Sequence, residues 1–178
     1  MSTRRGTISM RVMLAAGICA LAGAQAASTE VFSAKLAGDN EVPPTASTAT
    51  GTFHMEIDNS TSTPTINFTM TYAGMSGNPT FSHLHFGQVN VSGGVMIFLC
   101  GGGGQPNCPA AASGTFSGTI TPANVTGPTG QGINAGDLAT ALEAVGDGES
   151  YANIHSAKFP AGELRGQVRR GARGHEKD

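Results

Sequence analysis

An all-β domain is predicted by three observations on this 178-residue chain. Apolar and polar residues alternate with a period of two through most of its length, the pattern of half-buried strands. Glycine is abundant at 26 residues, lysine is scarce and tryptophan is absent. Only one segment repeats apolar residues at helical spacing, so about eight antiparallel strands are expected, with one short helix in a late loop.

The amino-terminal residues stand apart from that pattern. Arg4, Arg5 and Arg11 precede an apolar run from Val12 to about Ala22, and Ala24-Gln25-Ala26 places small residues where a signal peptidase reads. Residues 1–26 are therefore read as a signal peptide, 27–168 as the domain and 169–178 as a disordered tail. The apolar run is shorter than the roughly 20 residues of a membrane-spanning helix, and Ile18 before Cys19 argues against a lipid anchor. The expected location is the periplasm or the extracellular space, with no membrane span after signal removal. Processing takes three of the ten basic residues and leaves seven against twelve acids, a balance that argues against nucleic acid as a partner. The roughly 150 residues that remain suffice for one domain with a substantial core.

Val31 to Leu36 opens the domain, with Phe32, Ala34 and Leu36 on one face. Gly38 to Pro44 must be a loop, because consecutive prolines remove the donors a ladder needs. In the hairpin that follows, Gly51, Phe53, Met55 and Ile57 share a face, Asp58 to Pro64 turns the chain, and Ile66, Phe68, Met70 and Tyr72 return. His54 falls on the polar face and reads as a solvated side chain. After a loop from Gly74 to Thr80, Phe81 to Gly87 reads as a strand. Its Leu84 and Phe86 face the core, while Phe81, His83 and His85 face the outer wall of the sheet. Val95 to Leu99 is apolar throughout, a strand buried on both sides, and Thr115 to Thr121 offers Phe116, Gly118 and Ile120. Cys100 and Cys108 bracket a glycine-rich loop and are expected to pair in an oxidising compartment. A loop so short gains about 2–3 kcal/mol of chain entropy. The other use of the two thiols, a second metal site, lacks a further soft ligand nearby.

From Gly87 to Gly136 there is no Asp, Glu, Lys, Arg or His, so that span supplies no carboxylate or imidazole ligand. Asn134 or Asp137 is placed to cap a helix whose Leu138, Ala141, Leu142 and Val145 form an apolar stripe, stopped at Gly146-Asp147-Gly148. It reads as a lid over an open edge of the sheet. The last two strands are Tyr151 to Ser156, with Tyr151, Asn153 and His155 outward, and Gly162 to Val168, with Glu163, Arg165 and Gln167 outward. His175 falls in the tail.

Leu36 to Pro44, Ser82 to Gly87, Tyr151 to Ser156 and Pro160 to Gln167, in this order and spacing, resemble the CHRD domain, named for its repeats in chordin and found also in exported bacterial proteins. The resemblance runs from about Phe32 to Val168. It implies a Greek-key β-barrel or immunoglobulin-like sandwich, distantly similar to copper/zinc superoxide dismutases, and no settled activity. Within the dismutase likeness, His83 and His85 match paired copper histidines on one strand and His155 a later copper histidine, while Arg165 lies near an arginine that attracts the anion. The bridging histidine, the other zinc histidines and the zinc aspartate would fall in the charge-free span, so the likeness stops short of a zinc site. The disulfide also departs from that family, since here it closes a local loop.

His83 and His85 should project from one strand face about 6–7 Å apart at Cα, a spacing one ion can bridge. His155 has the same outward parity. Three neutral imidazole nitrogens at about 2.0–2.1 Å suit one copper ion, favoured on intrinsic affinity, or zinc, with a position left open. Tyr151, Asn153, Glu163 and Arg165 are the expected surroundings, with Glu163 or Asn153 orienting a ring and Arg165 as an anion guide. The competing reading is a hydrogen-bonded cluster of the three histidines with Tyr151 and Glu163 that packs a loop onto the barrel. Glu41 and Arg165 are expected to pin the Pro-Pro loop to the last strand through an ion pair or backbone contacts, worth about 0–1 kcal/mol if exposed. Two function classes follow. One is an exported binding or scaffold module that holds copper or zinc, or docks onto another extracytoplasmic protein or small ligand. The other is a small copper enzyme acting on superoxide or a related oxidant. The non-enzymatic module is preferred.

Overall fold

The computed structural model describes residues 29–171 apart from Ser62, so the signal-peptide reading and His175 lie outside the described residues. Alternation in the sequence becomes eight main strands: β1 (Thr29–Ala37), β2 (Thr50–Asp58), β3 (Thr65–Ala73), β4 (Pro79–Phe86), β5 (Gly94–Cys100), β6 (Gly114–Ile120), β7 (Ser150–Ser156) and β8 (Leu164–Gln167). One helix, α1 (Leu138–Gly146), precedes β7. The ladder order is β5-β4-β7-β8-β1-β2-β3-β6, antiparallel throughout, and the end strands β5 and β6 approach each other to leave a nearly closed barrel. β7 returns beside β4 after the β4-β5-β6 run, which is the Greek-key order.

Register builds the core. Phe32, Met55, Phe68 and Gly118 form one row across β1, β2, β3 and β6, and Ala34, Phe53, Met70 and Phe116 form the next. Phe32, Phe53, Met55, Phe68 and Met70 are all buried, each worth about 1.5–3 kcal/mol of transfer free energy. Asp137, not Asn134, caps α1, its carboxylate accepting from the Thr140 amide at 3.2 Å. Ala141, Ala144 and Val145 carry the helix into the same core. Cys100 and Cys108 form the expected disulfide, with Cα atoms 5.0 Å apart.

Two expectations are corrected. Order extends past residue 168: Arg169–Arg170 form a short strand, β9, opposite Ser33 and Phe32 of β1. The reason is local, since β1 is longer than β8 and its leading half offers free ladder positions, while the Arg170 guanidinium covers the Phe32 ring at 5.0 Å and pairs with the Glu30 carboxylate. The second correction concerns the histidines. The face of β4 and β7 that carries them points away from the barrel core but is not an open wall, because all seven residues of β7 are buried.

Candidate metal centre

Three adjacent strands set out a grid of side chains on that second face. Antiparallel register puts His83 opposite Asn153 and Asn153 opposite Arg165, Phe81 opposite His155, and His85 opposite Tyr151, itself opposite Gln167. Same-face residues directly opposite one another hold their Cβ atoms about 4.5–5.5 Å apart, so the period of two gathers the three imidazoles without any loop having to place them. The β4/β5 pairing shifts register on both sides of His83-Leu84. Irregular pairing of this kind re-aims side chains and is common beside functional sites.

The rings meet. His83, His85 and His155 each offer one nitrogen within 4.8 Å of the others, and His83 Nδ1 lies 3.2 Å from His155 Nε2. Backbone carbonyls set the tautomers. His85 Nδ1 donates to Gly93 O and His155 Nδ1 donates to Pro160 O, each at 3.0 Å, which leaves the Nε2 lone pair of both rings facing elsewhere. His155 Nε2 then accepts from His83 Nδ1. His85 Nε2 is buried and has no partner among the described residues.

Loops close over the grid. Phe81 stacks on His83 at 5.9 Å and Phe98 meets the same ring edge-on at 4.5 Å. Tyr151 lies parallel to His85 at 4.6 Å, and the Arg165 guanidinium covers the far side of Tyr151 at 3.5 Å. The loop between β4 and β5 binds Arg165 Nη2 through Gln88 O and Val91 O, both at 2.9 Å. Its Gly93 is there by necessity, because a Cβ would stand 1.6 Å from Phe86 O. What remains exposed is 6% of His83 and 8% each of His85 and His155, a narrow window rather than a cleft.

Burial decides the charge state. It pushes His83 down to about 3, with His155 and His85 adding to the effect, and His85 down to about 4. His155 is lowered by the same cause, against its bond to Pro160 O. All three rings are therefore neutral at pH 7, the form in which imidazole binds a metal. Glu41 moves the other way: burial raises it to about 7, while Asn153 and Arg165 pull it down.

Of the expected surroundings, Tyr151 and Asn153 are in place. Arg165 is 3% exposed and its guanidinium is engaged by two carbonyls and the Tyr151 ring. Glu163 does not reach the histidines. Its carboxylate accepts from Ser47 Oγ, Ser76 N, Ser76 Oγ and Ser156 Oγ and ties three segments together. Glu41 is not ion-paired with Arg165; its Oε1 accepts from Asn153 Nδ2 at 3.1 Å. Sequence reading missed the Gly93 and Pro160 carbonyls, which as backbone atoms carry no side-chain signature. The family model for the CHRD domain matches residues 32–168. This chain belongs to the CHRD-domain family. No curated protein and no solved structure matches it. The histidine grid therefore draws on residues before the middle and near the end of the CHRD match, while Glu41, which contacts it, comes from near the start. No helix among the described residues is long and apolar enough to cross a membrane.

Proposed function

We propose that this CHRD domain is an exported binding module that holds one copper ion, with zinc as the second choice, through His83, His85 and His155. The carrying observation is the donor set: three neutral, nearly buried imidazoles, of which His85 Nε2 is an orphaned acceptor that protein atoms leave unsatisfied. A buried polar atom without a partner costs about 1–3 kcal/mol, and a shared ion removes that cost. Nitrogens 3.2 Å apart, as His83 Nδ1 and His155 Nε2 are, subtend about 100° at an ion bonded to both at about 2.0–2.1 Å, once the His83 ring moves its proton from Nδ1 to Nε2 and gives up the hydrogen bond between the two rings. Two such bonds span at most about 4.1 Å, so the widest pair within the 4.8 Å set closes by under about 1 Å on loading. His85 is the ring free to move, since its Nε2 gives up no bond.

Copper(II) stands above zinc in intrinsic affinity for nitrogen donors, and the signal peptide expected from the sequence and the disulfide both suit an extracytoplasmic setting. When bound, copper supplies one-electron chemistry. The protein's part is to hold the Nε2 atoms of His85 and His155 in fixed tautomers through Gly93 O and Pro160 O, exclude bulk water and keep the rings neutral. An enzymatic role on superoxide is the weaker reading, because Arg165 is engaged by carbonyls and the window is narrow.

Metal analysis of purified mature protein after loading with copper or zinc at neutral pH tests the proposal. One ion per chain in the wild type, lost in His83→Ala and in His155→Ala, is expected. A metal-free wild type after loading refutes it. A superoxide assay on the copper-loaded protein then separates a binding module, which is inactive, from an enzyme.

A further inference from the structure

Among the described residues, three buried side-chain atoms of the grid lack partners, Gln167 Oε1 at its edge and, beside the imidazoles, His85 Nε2 and Asn153 Oδ1. Asn153 is 2% exposed and sits at the centre of the grid, opposite His83 on one side and Arg165 on the other, and two residues from His155 on its own strand.

Which end of an amide faces which neighbour is decided by hydrogen bonding, and here Glu41 decides it. Glu41 Oε1 accepts from Asn153 Nδ2 at 3.1 Å. With Glu41 Oε1 as the acceptor, the amide nitrogen faces Glu41 and the amide oxygen is turned away from it. Gly162 makes the contact possible, because a Cβ there would stand 2.4 Å from Asn153 Nδ2 and 2.5 Å from Glu41 Oε1. The amide is thus clamped from one side, with its carbonyl left unpaired on the other. That arrangement costs free energy in the metal-free protein and is explained if the oxygen has something to bind.

Resting on the metal reading above, we infer that Asn153 Oδ1 is the fourth protein donor to the ion, completing a three-nitrogen, one-oxygen set, and that Glu41 is the positioning residue that turns this oxygen inward. A set of three nitrogens and one oxygen suits the tetragonal preference of copper(II) better than three nitrogens alone. It also assigns a purpose to the unpartnered atoms of His85 and Asn153 at once.

The experiment compares copper(II)-loaded wild type with Asn153→Leu, which keeps the volume and removes the oxygen, by competition titration and electron paramagnetic resonance. Expected are a loss of copper affinity on the order of 10–100-fold and a shift of the parallel g value and copper hyperfine coupling towards a site with one fewer protein donor. An exchange variant, Glu41→Gln with Asn153→Asp, reverses the hydrogen bond while keeping an oxygen towards the rings. It should bind copper within about threefold of wild type or more tightly, since an ionised oxygen is the stronger donor. This second variant decides the matter if Asn153→Leu does not fold. An Asn153→Leu protein with wild-type affinity and spectrum overturns the inference, as does a folded exchange variant that binds copper ten times or more weaker than wild type. Copper binding by the wild type with three histidine nitrogens and an unchanged spectrum in Asn153→Leu would leave the metal reading standing and remove only the fourth donor.

Discussion

Acidification of the metal-free protein should destabilise it through the histidines while Glu41 works in the opposite direction. His83 and His85 titrate at about 3 and about 4 in the folded state, against about 6.5 when unfolded. Below pH 6.5 the unfolded chain takes up protons that the native grid refuses, so stability falls as pH falls towards the folded values. Each group contributes about 1.4 kcal/mol per pH unit. Going from pH 7.5 to 4.5, the two together withdraw about 5 kcal/mol, and His155 adds in the same direction. Glu41, raised to about 7, binds a proton in the native state before the unfolded chain does, and the same pH change restores about 3 kcal/mol. The net loss is therefore about 2 kcal/mol before His155 is counted, a large part of a typical 5–15 kcal/mol stability. Urea unfolding at half-unit steps in the presence of a chelator measures it. In Glu41→Gln the opposing contribution disappears and the loss should grow to about 5 kcal/mol, whereas His83→Ala should lose about 3 kcal/mol less over the same range than wild type does. Stability that is flat from pH 7.5 to 4.5 in wild type and both variants would refute the burial argument for the whole grid.

Because protons compete poorly for these rings, a copper-loaded sample dialysed against a weak chelator should keep its ion down to about pH 5, well below the 6.5 at which exposed histidines let go; atomic absorption of the retained metal checks this. Glu163→Gln removes a charged acceptor from four hydrogen bonds and should cost about 1.5–3 kcal/mol by urea denaturation, with copper affinity unchanged since Glu163 does not touch the rings. Gly162→Ala puts a Cβ against both Glu41 and Asn153 at a φ of +133°, and should destabilise by about 1–3 kcal/mol in the same measurement. Replacing both Cys100 and Cys108 by serine should cost about 2–3 kcal/mol, read from the shift in the urea midpoint.

Period-two parity carried most of what could be read from the sequence. It paired Leu84 with Phe86 and set His83 and His85 opposite them, and it gave Tyr151, Asn153 and His155 a common face, which suffices for the three rings to meet once β4 and β7 are neighbours. Parity says nothing of what lies over a face. The burial of these histidines comes from loops at residues 41, 87–93 and 160–162, brought in by backbone carbonyls and by glycines whose role is steric. Glu163 was misplaced for a related reason. It precedes the regular part of β8, so strand alternation does not govern its side chain, and four serine and amide donors claim it. Arg169 and Arg170 read as tail because a charged run lacks an apolar face, yet unpaired ladder positions on β1 were enough to order them.

β7 is buried at all seven positions, with Ala152 and Ile154 in the barrel core, Tyr151, Asn153 and His155 in the grid, and Ser150 and Ser156 buried at its ends. Most strands of an antiparallel barrel keep one row of side chains towards water, and that row is where sequences drift without harm. β7 has no such row. Substitution anywhere along it must disturb either the fold or the imidazoles, so in a saturation library scored for folded, copper-loaded protein it should emerge as the least permissive strand, with the alternation of tolerated and forbidden positions that marks β1, β2 and β3 missing from it.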